Sequence, residues 1–308
     1  MGNPQRHLST YEEIETFLRD VLDLKGKSIM PMVQNIFAEE AKIIAASGKK
    51  QTYNSNSFRV KDYKDDETRE SLRIRIVKEL LTKRRINEAK IKLGRGGCLP
   101  LTEVKKEKKF YFLIGLPASG KSTISERIAD LTGSVMVDAD IIKRKLPEYS
   151  NNSEAAYLTH LESQYMARPS DDLPFCDYNL MSQCLVLGYN IIYNAIGSNY
   201  EEVVEMISSI QNEHGYEVNL ILVELDRKKA TIRAYERYKK NKRYLPLSMI
   251  FDKYANNPTI SYFKCIENKD VRNYAHISTD VSMEQPYILV DSNMSFIDFK
   301  NVLEKKVK

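Results

Sequence analysis

The stretch Phe110-Tyr-Phe-Leu-Ile-Gly-Leu-Pro-Ala-Ser-Gly-Lys-Ser-Thr123 limits the folds open to this chain more than any other. Phe110 to Ile114 has the composition of a buried strand, and the run breaks at Gly115. Gly120, Lys121 and Ser122 then complete the G-x-x-x-x-G-K-S/T spacing of a Walker A loop. Gly115 and Gly120 let the backbone turn tightly and aim N–H groups at phosphate oxygens. A helix starting near Lys121 adds its positive N-terminal end. The spacing therefore predicts a triphosphate cradle over Gly115, Leu116, Pro117, Ala118, Ser119, Gly120, Lys121, Ser122 and Thr123. Lys121 is expected to reach the β- and γ-phosphates, and the Ser122 hydroxyl to ligate Mg²⁺. The plainer reading is an ordinary Gly-rich turn. The strand before the loop and the amphipathic residues after it (Ile124, Ile128, Leu131) speak against that.

The 308 residues leave room for one large or two modest domains. Hydrophobic residues make up 42%, yet no uncharged apolar run reaches the roughly 18 residues of a membrane span, so a soluble protein is expected. The N-terminus lacks the apolar core of a secretory signal, and Arg6 occupies the place where myristoylation wants Ser or Thr. Cys98, Cys176, Cys184 and Cys265 show neither metal-ligand nor pairing spacing and read as reduced thiols of a cytoplasmic protein. His7, His160, His214 and His276 form no zinc motif. A net charge of +5 suits anionic small molecules or weak nucleic-acid contact.

Three helices are expected ahead of the loop. The first covers 8–24, capped by Ser9 or Thr10 with Glu12 and Glu13 in capping-box position, and the second about 28–46. After a polar loop over 49–66, a charged helix is expected from Glu67 to Leu93. A basic linker, Lys105 to Lys109, joins this helical region (1–104) to a second domain (105–308). From 109 onward strands and helices alternate. Strands are expected at 134–137, 190–194, 218–224 and 287–290, a mostly helical stretch from Asp140 to Leu187, and helices near 200–213, 228–242 and the C-terminus. The pattern implies an α/β fold of P-loop NTPase type, a parallel sheet flanked by helices with an N-terminal helical extension. Ligands of such sheets bind beyond the carboxyl ends of the strands.

Catalysis needs more than a phosphate grip. Asp138 and Asp140 stand at the end of the second strand, two apart, and share a side while the chain is extended. One suits the Mg²⁺ shell or the loop, and the other an acceptor hydroxyl; the plainer reading has both capping the next helix. Arg233 and Arg237 share a helix face, and Arg243 follows before Pro246. Such a basic lid closes over phosphates, excludes water and stabilises transferring charge; the plainer reading is a solvated basic face.

These residues resemble the zeta-toxin family of P-loop kinases. The matching pieces are Gly115 to Ser122, Asp138-Ala-Asp140 with Lys143, Leu146-Pro-Glu-Tyr149, Gly188-Tyr-Asn190, Glu236-Arg237-Tyr238 and Arg243-Tyr-Leu-Pro246. The resemblance spans roughly 105–260. It implies ATP-dependent phosphorylation of a sugar hydroxyl, typically on UDP-N-acetylglucosamine, and restraint by a partner antitoxin. It places the general base on Asp140, the phosphate lysine on Lys121 and the charge-stabilising arginines on Arg237 and Arg243. The family's acidic substrate residue before Gly188 falls near Asp177 or Tyr178, which makes Asp177 its substitute. After the third strand, Asn194-Ala-Ile-Gly197 replaces an acidic residue and a Gly-Thr-Gly-like turn, losing a carboxylate and a hydroxyl that read sugar hydroxyls. Asp138, Asp177, Asn194 and Arg233 are thus the candidate substrate contacts.

Two acceptors besides a nucleotide-sugar stay open. One is a ribose hydroxyl of NAD. The other is a polynucleotide or tRNA held by the basic N-terminal residues Lys83, Arg84, Arg85, Lys90 and Lys92, although such charge runs more often face solvent. A non-enzymatic nucleotide-gated docking module is the third reading. For residues 1–104 a structural extension is favoured over a docking element or a cover that inhibits in cis.

Overall fold

The computed structural model describes residues 5–26, 29–46, 51–150, 152–169, 178–282, 285–295 and 297–304. Helix α1 (Tyr11–Thr16) opens on the expected capping box: Thr10 Oγ1 accepts from Glu13 N at 3.2 Å, and the Glu13 carboxylate accepts from Thr10 N at 2.9 Å. It runs on through a π-helical turn, Phe17–Val21. Helix α2 (Ile29–Ala46) and helix α3 (Asp66–Thr82) follow.

Helix α3 stops eleven residues short of its expected end. Lys83 is extended, its carbonyl accepts from Leu99 N, and Arg85 N donates back to Leu99 O. Gly97 approaches this crossing so closely that a Cβ would lie 2.1 Å from the Lys83 carbonyl oxygen. Good helix formers thus give way to a tertiary contact only glycine allows.

The sheet is built from β1 (Lys109–Ile114), β2 (Val135–Val137), β3 (Ile191–Asn194), β4 (Glu217–Glu224), β5 (Asn273–Ser278) and β6 (Ile288–Ser292), in the order β2-β3-β1-β4-β5-β6. The first five are mutually parallel, whereas β6 is antiparallel to β5. The sheet is therefore mixed at one edge rather than wholly parallel. The short connection 279–287 is too brief for the crossover a parallel return needs. Strand β5 was not legible because it reads Asn-Tyr-Ala-His-Ile-Ser. Its leading amide is satisfied only across the sheet, by Glu217 at 2.9 Å and Asn219 at 3.1 Å.

Between the strands lie α4 (Lys121–Thr132), α5 (Ala139–Lys143), α6 (Ser153–Leu158), α7 (His160–Ala167), α8 (Leu180–Val186), α9 (Tyr200–Asn212), α10 (Arg227–Asn241) and α11 (Asn257–Glu267), with α12 (Phe299–Leu303) last. Helix α11 and the π-helical turn Met249–Tyr254 before it were not foreseen. Helices α4 and α12 cover one face of the sheet, and α3, α8, α9 and α11 the other.

The segment before β1 does not hang from a free linker. Lys105 N donates to Gly133 O, Asn190 N to Lys105 O, and Glu217 N to Lys108 O. Leu72, Ile76 and Leu80 of α3 share the apolar core of the sheet. Fully buried Arg69 is gripped by Glu148 at 2.8 Å and Glu162 at 2.5 Å, tying α3 to the segment after α5 and to α7. Helices α1 and α2 build a second core with α10 and the chain around 244–250, and this core also takes in Leu116 of the glycine loop. Cys98, Cys184 and Cys265 are buried free thiols; Cys176 lies outside the described residues. Among the described residues no helix is long and apolar enough to cross a membrane, and no three side chains are grouped to hold a metal ion.

Candidate active site

The glycine loop leaves β1 at Gly115, whose φ is 150° and whose missing Cβ would lie 2.3 Å from Val223 O on β4. Only glycine fits there. Ala118 (φ 63°) and Gly120 (φ 95°) are also left-handed, so the chain turns sharply before α4 starts. Among the described residues no backbone acceptor takes the N–H of Ala118 or Gly120. The buried Ser119 hydroxyl is likewise unpartnered. Lys121 Nζ bends back to donate to Gly115 O at 2.6 Å and Leu116 O at 2.8 Å. Burial, then the like charge of Arg237, brings its pKa down to about 7 against the opposing pull of Asp138. Ser122 and Thr123 are exposed on the first turn of α4. Donors without acceptors, and a lysine resting on its own loop, fit a polyphosphate.

Asp138 lies near enough to Lys121 for its charge to act on the lysine, but the two carboxylates are not arranged by strand alternation. Ala139 already begins α5, and Asp138 caps it, accepting from Asp140 N at 2.7 Å. The capping reading thus holds for Asp138. Burial and the neighbouring Asp140 charge push its carboxyl up to about 6. Asp140 instead turns outward from α5 to Arg243, whose Nη2 donates to Oδ1 at 2.6 Å, with Lys143 Nζ 3.5 Å away. Burial alone raises a carboxyl, but Arg243 and Lys143 hold this one well below the usual range.

Arg243 is delivered by Lys242, which ends α10 in the left-handed conformation (φ 59°). Arg237, one face of α10 away, is exposed and has no ion pair among the described residues. Neighbouring protein atoms that strip part of its hydration, and then the like charge of Arg243, lower its pKa. Arg233 does not join them: its Nη2 donates to Thr279 O at 3.0 Å, on the flank of the loop where Thr279 Oγ1 donates to Ser119 O at 2.7 Å. A cleft of about 510 Å³ lined by Lys229, Ile232, Arg233, Asp280 and Val281 opens on that flank.

Asn194 ends β3 beside α4, its amide donating to Ser125 Oγ at 3.0 Å while its buried Oδ1 has no partner. A cavity of about 860 Å³ begins at Tyr193, Ala195 and Gly197, without Asn194 in its lining, and runs along α9 as far as His214. Asp177 lies outside the described residues. Lys143, one of the residues that carry the family resemblance, stands on Asp140, one helical turn on. His160, at the start of α7, belongs to no motif; partial loss of hydration and the Lys143 charge lower it to about 4, so it is neutral near pH 7. A helix start carries no sequence signal for that role. Glu148 and Asn190 are structural: Glu148 holds Arg69, and the Asn190 side chain accepts from Glu107 N and Lys109 N.

The structure solved for the PezAT chromosomal toxin–antitoxin system of the human pathogen Streptococcus pneumoniae is similar at a TM-score of 0.50 and 17% identity, over 74% of this chain and 82% of that one. At that identity the likeness is one of fold. The structure of AvrRxo1-ORF1:-ORF2 with ATP aligns at a TM-score of 0.40 and 18% identity, over 72% of this chain and 63% of that one. No curated protein sequence matches. The sequence model described as Zeta toxin matches residues 97–261, more than half of the chain and every element that carries the glycine loop, the Asp138–Asp140 pair and the arginines of α10. This chain belongs to the zeta toxin family, with the mixed sheet and flanking helices of its kinase-like P-loop fold.

Proposed function

We propose that this protein transfers the γ-phosphoryl group of ATP to an alcohol of a nucleotide-sugar such as UDP-N-acetylglucosamine. One observation carries the reading: beyond the carboxyl ends of parallel strands of one sheet stand both a glycine loop with unused N–H donors and a resting lysine, after β1, and a carboxylate held ionised by Arg243 and Lys143, after β2. Ser122 is the residue that would hold Mg²⁺, which when bound would supply positive charge to offset that of the phosphates. Loop N–H groups and Lys121 bind the phosphates. Asp140 accepts a hydrogen bond from the acceptor hydroxyl, aligns its oxygen and takes its proton. A strongly ionised Asp140 orients well but is a weak base while Arg243 grips it. Transfer of Arg243 from Asp140 to phosphate charge raises the carboxylate's proton affinity and places a cation where charge spreads.

The cleft beside Arg233 and Thr279 suits the nucleoside of ATP, and the cavity that begins at Tyr193 the acceptor. Residues 105–308 would then hold the chemistry and 1–104 support it, in a cytoplasmic protein restrained by an antitoxin as family membership suggests. An NAD ribose hydroxyl is the second acceptor, favoured by Asn194, whose amide offers a carbonyl oxygen with no partner where the family pattern has a carboxylate. Much of the basic run is already engaged: Arg85 pairs with Asp130 at 2.8 Å and Arg84 holds the Leu101 carbonyl, which weakens the polynucleotide reading.

Incubation with ATP, Mg²⁺ and a panel of UDP-sugars, NAD and tRNA, read by mass, tests the proposal. A phosphate gained by a UDP-sugar, absent with Asp140→Asn, supports it. Gain by NAD alone moves the acceptor, and no gain by any acceptor together with no ATP hydrolysis overturns it.

A further inference from the structure

Two glutamates of α2 make polar contacts with the segment that delivers Arg243. Tyr244, the next residue, is buried, and its hydroxyl donates to buried Glu40 of α2 at 2.6 Å. Tyr238, on the last turns of α10, packs edge-on against Tyr244 with ring centroids 5.4 Å apart and reaches Glu39 at 3.4 Å. Further along, Arg6 pairs with Asp252 at 2.7 Å and lies over the rings of Phe17 and Phe251. Gln5 donates to Ser248 at 2.9 Å. A carboxylate buried in an apolar cluster is costly unless its hydrogen bond is retained. A tyrosine joined to it is a fixed point only one residue from the guanidinium.

We infer that Glu40 and Tyr244 are positioning residues: through them α2 braces the loop that holds Arg243 on Asp140. The inference rests on the kinase reading only for its consequence in turnover. Lys242 in the left-handed conformation and Tyr244 on α2 fix the backbone on both sides of Arg243, so its guanidinium reaches the Asp140 carboxylate without searching. Without the Tyr244 anchor only the Lys242 side stays fixed, and Arg243 samples solvent. Glu40→Gln keeps an oxygen that accepts from the Tyr244 hydroxyl, whereas Glu40→Ala and Tyr244→Phe abolish the bond.

The test uses the full chain. The Arg243 guanidinium is followed by nitrogen-15 NMR, its signal identified by loss in Arg243→Lys, and ATP consumption is measured alongside. In Tyr244→Phe and Glu40→Ala, guanidinium proton exchange accelerates about tenfold. Turnover falls about tenfold to a hundredfold with the KM for ATP little changed, and Glu40→Gln stays near the parent in both. An Arg243 signal unchanged in either folded variant overturns the inference, as does Glu40→Gln behaving like Glu40→Ala. If the signal responds but ATP consumption ignores Asp140→Asn and Lys121→Ala as well, the brace stands and the kinase reading falls. If those two variants abolish turnover while Tyr244→Phe changes neither readout, the brace alone falls.

Discussion

Asp140 is held by two cations at 2.6 and 3.5 Å, and Lys121 by two carbonyls of its own loop. Both groups thus have partners that substrates would displace. For Asp140 the consequence is kinetic. Asp140→Asn keeps the shape but removes the charge and the proton acceptor, so turnover should fall about 10²–10⁴-fold while ATP affinity, measured by fluorescence titration, stays within about twofold. For Lys121 it is a proton. With its pKa near 7 in the free protein, most of Lys121 is neutral at pH 8, and a bound triphosphate recharges it. Calorimetry at pH 8 in buffers of different ionisation enthalpy should show uptake of about one proton per ATP bound. Lys121→Met should abolish the uptake.

Among the elements, β1, the glycine loop and α4 were legible almost to the residue, because a buried strand, two position-bound glycines and an amphipathic helix each leave a local mark. The Asp138–Asp140 pair was legible as a pair but not in its geometry: a cap, not an extended strand, sorts one carboxylate inward and the other outward. The overlong α3 and the missed β5 failed for a common reason, since each is decided by a partner far along the chain, Gly97 against Lys83 in one case and Glu217 and Asn219 in the other. The charges on α3 look like a solvated face, yet Arg69 and Arg73 converge on buried Glu162 of α7. Burial alone would push the Glu162 carboxyl up; the hydrogen bonds and charge of Arg69, helped by Arg73, bring it down to about 2. A folded pKa below the unfolded value stabilises above pH 4.5 and is lost as pH falls from there toward about 2. The pair of values is worth about 3 kcal/mol. Urea unfolding at pH 7 and pH 3.5 should show the parent losing a little under half of that, about 1.4 kcal/mol, and Glu162→Gln, already weaker at pH 7, losing less between the two.

The whole molecule has two kinds of interior. One is the sheet with its covering helices, into which α3 is built; the other joins α1 and α2 to α10 and the chain after it. Leu116 and Leu225 are where the second touches the glycine loop and the end of β4. On the proposed reading this division separates the parts that would bind phosphate from the parts that would bring arginines to it, and damage to the second core should therefore spread unevenly. Phe17 is the largest side chain that α1 and its π-helical turn bury there, packing edge-on against Phe251 at 5.8 Å and beneath Arg6. Phe17→Ala removes a buried aromatic, a change that typically costs about 3–5 kcal/mol where the site cannot collapse. If the second core opens as its own unit, hydrogen exchange should accelerate across 29–46 and 228–254 while amides of β1 and β4 keep their protection. ATP binding through the loop should then persist as ATP turnover drops. Equal acceleration in the sheet would mean that the two interiors open together, and that α1 and α2 stabilise the glycine loop as much as the arginines above it.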